Sequence, residues 1–139
     1  MAPDLRSFRN WIDSIPGPLV RVLTLVTAAV WLLFGLGFKV LGLVPRHRQI
    51  VAGVLGESLA GPATLFIGVG ETLIGLWIAT TLYPRLCAAV QTVAIVAMNI
   101  LELRFAKNLL LSPILMVCAN TVLLLAGWYR ALKLNEMRS

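Results

Sequence analysis

The sequence predicts an all-α fold, a transmembrane four-helix up-down bundle with a short N-terminal interfacial helix. Three observations carry that expectation. Of the 139 residues, 59% are hydrophobic and 13% are charged, whereas an ordinary soluble domain has roughly 25% charged residues and a small one needs that polar surface to stay in water. The apolar residues are gathered into long runs. Between Arg21 and Lys39 lie 17 uncharged residues, and between Lys107 and Arg130 lie 22, lengths near the ~20 residues that carry a helix across a bilayer core. Mostly short connections join four such runs, which makes neighbouring helices antiparallel. The same arithmetic excludes a soluble enzyme, a secreted disulfide scaffold and a disordered tail.

Residues 1–17 form the interfacial segment. Leu5, Phe8, Trp11, Ile12 and Ile15 share one helical face, with Arg6, Arg9, Asn10 and Asp13 around the rest, as suits a helix lying on a membrane surface. A cleavable signal peptide fits worse, because the apolar segment that follows is too long and lacks a small-residue cleavage site. Residues 18–139 form the membrane domain. Pro18 opens the first span, about 18–43. Val44 to Gly61 reads as a loop with room for a short amphipathic interfacial helix, since its apolar stretch Ile50 to Gly56 is too short to cross. The second span covers about 62–83, and Pro84 stops it in a tight turn. The third covers about 86–103 and is followed by the basic turn Arg104 to Asn108. The fourth covers about 109–132, leaving Lys133 to Ser139 as a polar tail.

The net charge of +6 would point to nucleic acid in a soluble protein. Here most basic residues flank apolar spans, so they read as topology determinants and headgroup contacts, and no nucleic-acid partner is expected. Four crossings put both termini on one side, together with Arg6, Arg9, Arg21, Arg85, Arg130, Lys133 and Arg138. Lys39, Arg46, Arg48, Arg104 and Lys107 fall on the other. The excess favours cytoplasmic termini, and Trp11, Tyr83, Trp128 and Tyr129 form an interfacial belt on the same side. Cys87 and Cys118 lie in different spans at different depths, too far apart for a disulfide. Both read as free and buried.

Five polar residues then converge in depth. At about 1.5 Å per residue, Glu71 lies roughly 14 Å and Asn120 roughly 17 Å from the face opposite the termini. Asn99, Glu102 and Lys39 belong to the same half of the bilayer. Lys39 follows a stripe with Ala28, Leu32, Gly35 and Gly42. Glu71 shares a face with Gly68, Gly75 and Ala79, and Asn99 and Glu102 with Thr92 and Ile95. Small and polar residues prefer helix interfaces in membranes, and a charge at mid-membrane costs ~2.5–3.5 kcal/mol even on a gentle insertion scale, so Glu71 needs a partner or a proton. In one reading Lys39 pairs with Glu71 or Glu102 while the asparagines clamp helices together. In the other these residues form a polar cavity that binds a ligand or relays protons. No catalytic residue and no metal ligand set is assigned. His47, between Arg46 and Arg48, reads as a headgroup contact, no HExxH is possible with a single histidine, and Trp31 and Trp77 read as packing residues.

The run Trp31-Leu32-Leu33-Phe34-Gly35-Leu36-Gly37-Phe38-Lys39, the stretch GVGETLIGLWIATTLYPRLCAAVQ around Glu71, Met98-Asn99-Ile100-Leu101-Glu102 and Leu109-Leu110-Leu111-Ser112-Pro113 together resemble the DoxX-like family of small four-helix membrane proteins, over roughly Trp31 to Leu132. The resemblance carries over Lys39, Glu71, Asn99 and Glu102 as motif positions without a chemical role. It implies that some relatives are membrane subunits of quinone-linked sulfur oxidation or redox-stress complexes, and that distant ones are membrane chaperones. This chain has no cysteine pair or cofactor motif with which to perform redox chemistry alone.

The leading expectation is a non-enzymatic integral protein, in a bacterial cytoplasmic (inner) membrane, that binds a partner protein or a lipid-like or quinone ligand through its polar core. Contact with the lipid bilayer is implied, and either a membrane protein partner or a homo-oligomer is compatible. A quinone-linked oxidoreductase membrane subunit and a small-solute or proton transporter are the alternatives.

Overall fold

A computed structural model describes residues 4–43, 45–109 and 112–138, with no side-chain description for Leu109. The expected loop start at Val44, the first residues of the interfacial segment (1–3), Leu110 and Leu111 of the expected fourth span, and Ser139 lie outside the described residues. The fold is all-α, with no strand among the described residues. Its helices are α1 (Leu5–Ser14), α2 (Pro18–Leu32, continuing as a π-helix over Leu33–Val40), α3 (Pro45–Leu55), α4 (Glu57–Thr80), α5 (Pro84–Phe105) and α6 (Pro113–Arg138), with a single 3-10 turn at Lys107–Leu109. Four are long and apolar enough to cross a membrane: Pro18–Val40, Glu57–Thr80, Pro84–Phe105 and Pro113–Arg138.

Local chemistry sets the ends. The Asp4 carboxylate accepts a hydrogen bond from the Arg6 amide at 3.0 Å and caps α1. Pro18 and Pro84 occupy the first turns of α2 and α5, where a missing N–H costs nothing. Inside α2, the Thr24 and Thr27 hydroxyls donate back to the carbonyls of Val20 and Leu23, which satisfies them without water. Beyond Leu32 the winding loosens, and the Leu41 amide reaches back five residues to the Leu36 carbonyl at 2.9 Å. Gly42 and Gly56, both at positive φ, close α2 and separate α3 from α4.

Several boundaries move from their sequence-based positions. The short helix for which the expected loop left room is α3, Pro45–Leu55, while α4 already starts at Glu57, so Pro62 lies within the helix instead of opening it. The break belongs to Gly56, whose backbone conformation a helix cannot accept, and Glu57 then places an acidic side chain at the positive helix end. The expected polar tail is helical through Arg138. Leu134 is fully buried there and the Arg138 guanidinium donates to the carbonyl and hydroxyl of Thr81.

Helix α2 packs along α4 and α6, α5 along α6, and α3 lies across α4 and α5. Ala28, Trp31, Ile78, Cys87 and Ile95 form the central core, and Ile15, Val20 and Leu134 a second cluster near the chain ends. The outward face is apolar, with Phe66, Val93, Ile114 and Leu115 among its exposed side chains, as expected of helices whose solvent is lipid. Cys118 is on that exposed face, which corrects the expectation that both cysteines are buried; Cys87 is buried, and both are free.

The end of the bundle that holds both chain ends is tied by long side chains converging on the last turn of α4. Trp11 Nε1 donates to the Ala79 carbonyl at 2.8 Å, Arg130 to the Ile78 carbonyl at 2.6 Å and Arg138 to that of Thr81 at 2.6 Å. Carbonyls left over at a helix C-terminus accept such donors, and cations there oppose the helix dipole.

Candidate functional site

The site grows out of the π-wound part of α2. Its wider turn turns Lys39 toward α4, and the helices touch where side chains are absent. A Cβ placed on Gly35 would stand 2.7 Å from the Gly68 carbonyl oxygen, and one on Gly68 would stand 2.7 Å from Lys39 Cβ. Only glycine permits that approach. It brings Lys39 Nζ within 3.0 and 2.8 Å of the two carboxylate oxygens of Glu71, with both side chains over nine-tenths buried. Of the two carboxylates considered for Lys39, Glu71 holds it. The ammonium also lies 5.9 Å from the centre of the Phe34 ring.

On the facing helices, Asn120 Nδ2 donates to Asn99 Oδ1 at 2.6 Å and joins α6 to α5. Glu102 is half-buried one turn beyond Asn99, and its carboxylate makes no hydrogen bond or ion pair among the described residues. All five residues line one cavity of about 340 Å³, closed further by Phe34, Met98, Met116 and, at its mouth, Arg46, His47 and Ser112. A pocket of this size is at the small end of those that hold drug-sized ligands. Two smaller cavities share its walls. One, about 100 Å³, runs beneath α3 between Ile50, Val51, Val54, Leu55, Ile67 and Leu101. The other, about 70 Å³, extends inward past Glu71 and Met98 to Trp31 and Ile95. The chamber that gathers the five polar side chains thus shares walls with two smaller, mostly apolar arms.

One contributor to the chamber and one buried cation at the other end of the bundle were not read from the sequence. His47 is not a free headgroup contact: it packs edge-on to Phe34 and against Phe38, at ring separations of 5.7 and 5.3 Å. Burial, reinforced by the positive charges of Lys39 and Arg46, pulls its imidazole down to about 4, so it is neutral at pH 7. The signal was available, since His47, Ile50, Val51 and Val54 follow the spacing of one helical face. Arg130, read as a flanking basic residue, is 1% exposed and reaches Thr24 Oγ1 at 2.7 Å as well as Ile78. Its neighbours Gly127, Ala131 and Leu134, buried along with it, mark an inward face. Trp31 and Gln91 form a third buried contact, Nε1 donating to Oε1 at 3.1 Å.

Four membrane-length helices among the described residues, with an off-centre cavity lined by charged and amide side chains, define a small integral membrane protein. The DoxX-like family matches residues 28–128, well over half of the chain and inclusive of every residue around Lys39, Glu71, Asn99, Glu102 and Asn120. The chain belongs to the DoxX-like family. No individual curated protein and no solved structure matches it.

Proposed function

We propose that this protein binds an amphipathic small molecule from the bilayer, a lipid-like or quinone-like compound, with its polar head in the Lys39–Glu71–Asn99–Glu102–Asn120 chamber. The observation that carries the reading is the wall that the chamber shares with the mostly apolar arm under α3, formed by Lys39, His47, Ile50, Met98 and Glu102. A structural clamp needs neither space nor an arm. A head that hydrogen-bonds and a tail that does not would match the two environments, in the manner of small-molecule sites lined by apolar groups with a few placed polar ones. The reading places the protein in a bacterial cytoplasmic membrane with cytoplasmic termini and α1 on the membrane surface. The cavity mouth then faces away from the cytoplasm.

A quinone fits this description. The neutral His47 imidazole and the Asn99 amide, whose oxygen already accepts from Asn120, are hydrogen-bonding groups of the kind that hold ring carbonyls, and Phe34 supplies an aromatic wall. A bound quinone would supply electron-transfer chemistry to an oxidoreductase partner; the chain's own residues would bind and orient it.

Native mass spectrometry of the protein extracted from its own membrane tests the reading. The wild type should retain a molecule of defined mass, and Ala119→Trp, which fills the chamber from α6, should lose it at unchanged unfolding temperature. A bare wild type, or equal loading of both, overturns it.

A further inference from the structure

The charges around the chamber narrow the class of ligand, on the reading that the chamber binds an amphiphile. Four charged side chains line it: Lys39, Arg46, Glu71 and Glu102. Lys39 and Glu71 satisfy one another through two short contacts and are buried together. His47 adds no charge at neutral pH, since burial and the neighbouring cations hold its imidazole near 4. What remains is one cation and one anion. The side chains of Arg46, in the first turn of α3 at the mouth, and of Glu102, half-buried near the end of α5, make no hydrogen bond or ion pair among the described residues. By contrast, the neighbouring Arg48 is paired with Glu57 at 3.6 Å.

We propose that the ligand is a zwitterionic amphiphile, carrying a primary ammonium that Glu102 accepts and a phosphate or carboxylate that Arg46 takes, with its chain directed into the arm beneath α3. Glu102 lines both the chamber and that arm, so a head held there has its chain at the arm's opening. An anionic head would leave Glu102 facing like charge, and a purely cationic one would leave Arg46 unmatched. A zwitterion answers both: Glu102 is half-buried, where matching a charge gains most because water is scarce, and the exposed Arg46 holds the anionic end at the mouth. Arginine suits the anionic end, since its planar fork holds phosphate or carboxylate oxygens in pairs.

The test uses the purified full-length protein in detergent, titrated with dioctanoyl phosphatidylethanolamine, dioctanoyl phosphatidylglycerol, ubiquinone-1 and free phosphoethanolamine. The expected result is at least a tenfold preference for the ethanolamine lipid over the glycerol lipid. Glu102→Gln should abolish that preference and Glu102→Asp should keep most of it; Arg46→Gln should weaken both lipids. Binding of free phosphoethanolamine as tight as that of the lipid would identify a soluble zwitterion and overturn the amphiphile. Glycerol lipid or quinone bound as well as or better than the ethanolamine lipid, and still blocked by Ala119→Trp, would overturn the zwitterion while leaving the chamber as a binding site. No binding of any probe, with no retained molecule in the native extract, would sink both. Unfolding temperatures of the Glu102 variants within a few degrees of wild type establish that the comparison is between folded proteins.

Discussion

Lys39 and Glu71, 32 positions apart in sequence, meet as a two-pronged ion pair with Nζ 3.0 and 2.8 Å from the two carboxylate oxygens. Both side chains are over nine-tenths buried at the wall of the chamber, and they meet where the π-wound part of α2 brings Gly35 against Gly68 of α4. π-wound turns inside helices concentrate at functional sites. Here the wider turn carries a lysine onto the inner face at the depth of a carboxylate on the next helix.

A buried pair of this kind is costly to break and cheap to replace. Removing one member leaves the other charged and unmatched, at about 3–5 kcal/mol, whereas exchanging both for apolar residues of similar volume is often neutral. Lys39→Met and Glu71→Met should each lower the unfolding transition in detergent by that order, and the two together should recover most of the loss. Additive losses in the double variant would show that the two side chains are not coupled.

The glycines of α4 separate contact from propensity. Gly68→Ala would drive a methyl group to 2.7 Å from Lys39 Cβ, while the same change at Gly70 meets nothing within 4 Å. Gly68→Ala should therefore destabilise the bundle and loosen the Lys39–Glu71 contact. Gly70→Ala should be neutral or stabilising by up to about 1 kcal/mol, the helix preference of alanine over glycine. Equal effects at the two positions, measured by thermal unfolding, would contradict the close approach of α2 and α4.

His47 predicts a one-sided pH response. Its folded value of about 4 lies below the usual 6.5, so the unfolded chain takes up the proton first. Stability contributed by the neutral ring is complete above pH 6.5, falls as pH drops from 6.5 to about 4, and changes no further below that. An NMR titration of the single histidine should give a midpoint near 4. A midpoint near 6.5 would mean that the ring is solvated and that α3 does not cover the chamber.

The sequence made some of this legible and hid the rest for physical reasons. Run length reports bilayer thickness directly, so the four crossings around Trp31, Glu71, Asn99 and Asn120 could be placed without a structure. Depth follows from span position, which is why Lys39, Glu71, Asn99, Glu102 and Asn120 could be grouped before their contacts were known. Winding was not legible. Nothing in Leu33 to Val40 forces hydrogen bonds to reach five residues back; that register depends on α4 lying against Gly35. Arg130 stayed hidden because a basic residue near a span end has two destinations, headgroup or interior, and the hydroxyl of Thr24 and carbonyl of Ile78 that receive it come from other helices. The inward face of α3 was readable from His47, Ile50, Val51 and Val54, but an amphipathic helix too short to cross a bilayer suits a membrane surface as well as a chamber wall, and sequence alone does not choose between them.

The last turn of α4 gives the molecule a mechanical polarity. Trp11, Arg130 and Arg138 arrive there from α1 and α6 and fasten three successive parts of one helix end. Spreading the helices at that end would strip several buried donors of their acceptors at once. At the opposite end α3 is attached mainly by apolar packing and by an exposed Arg48–Glu57 pair, between two glycines that already sit in backbone conformations other residues avoid. One end of the bundle is thus riveted by donors reaching another helix's carbonyls, whereas α3 is laid over the other end chiefly by apolar contact.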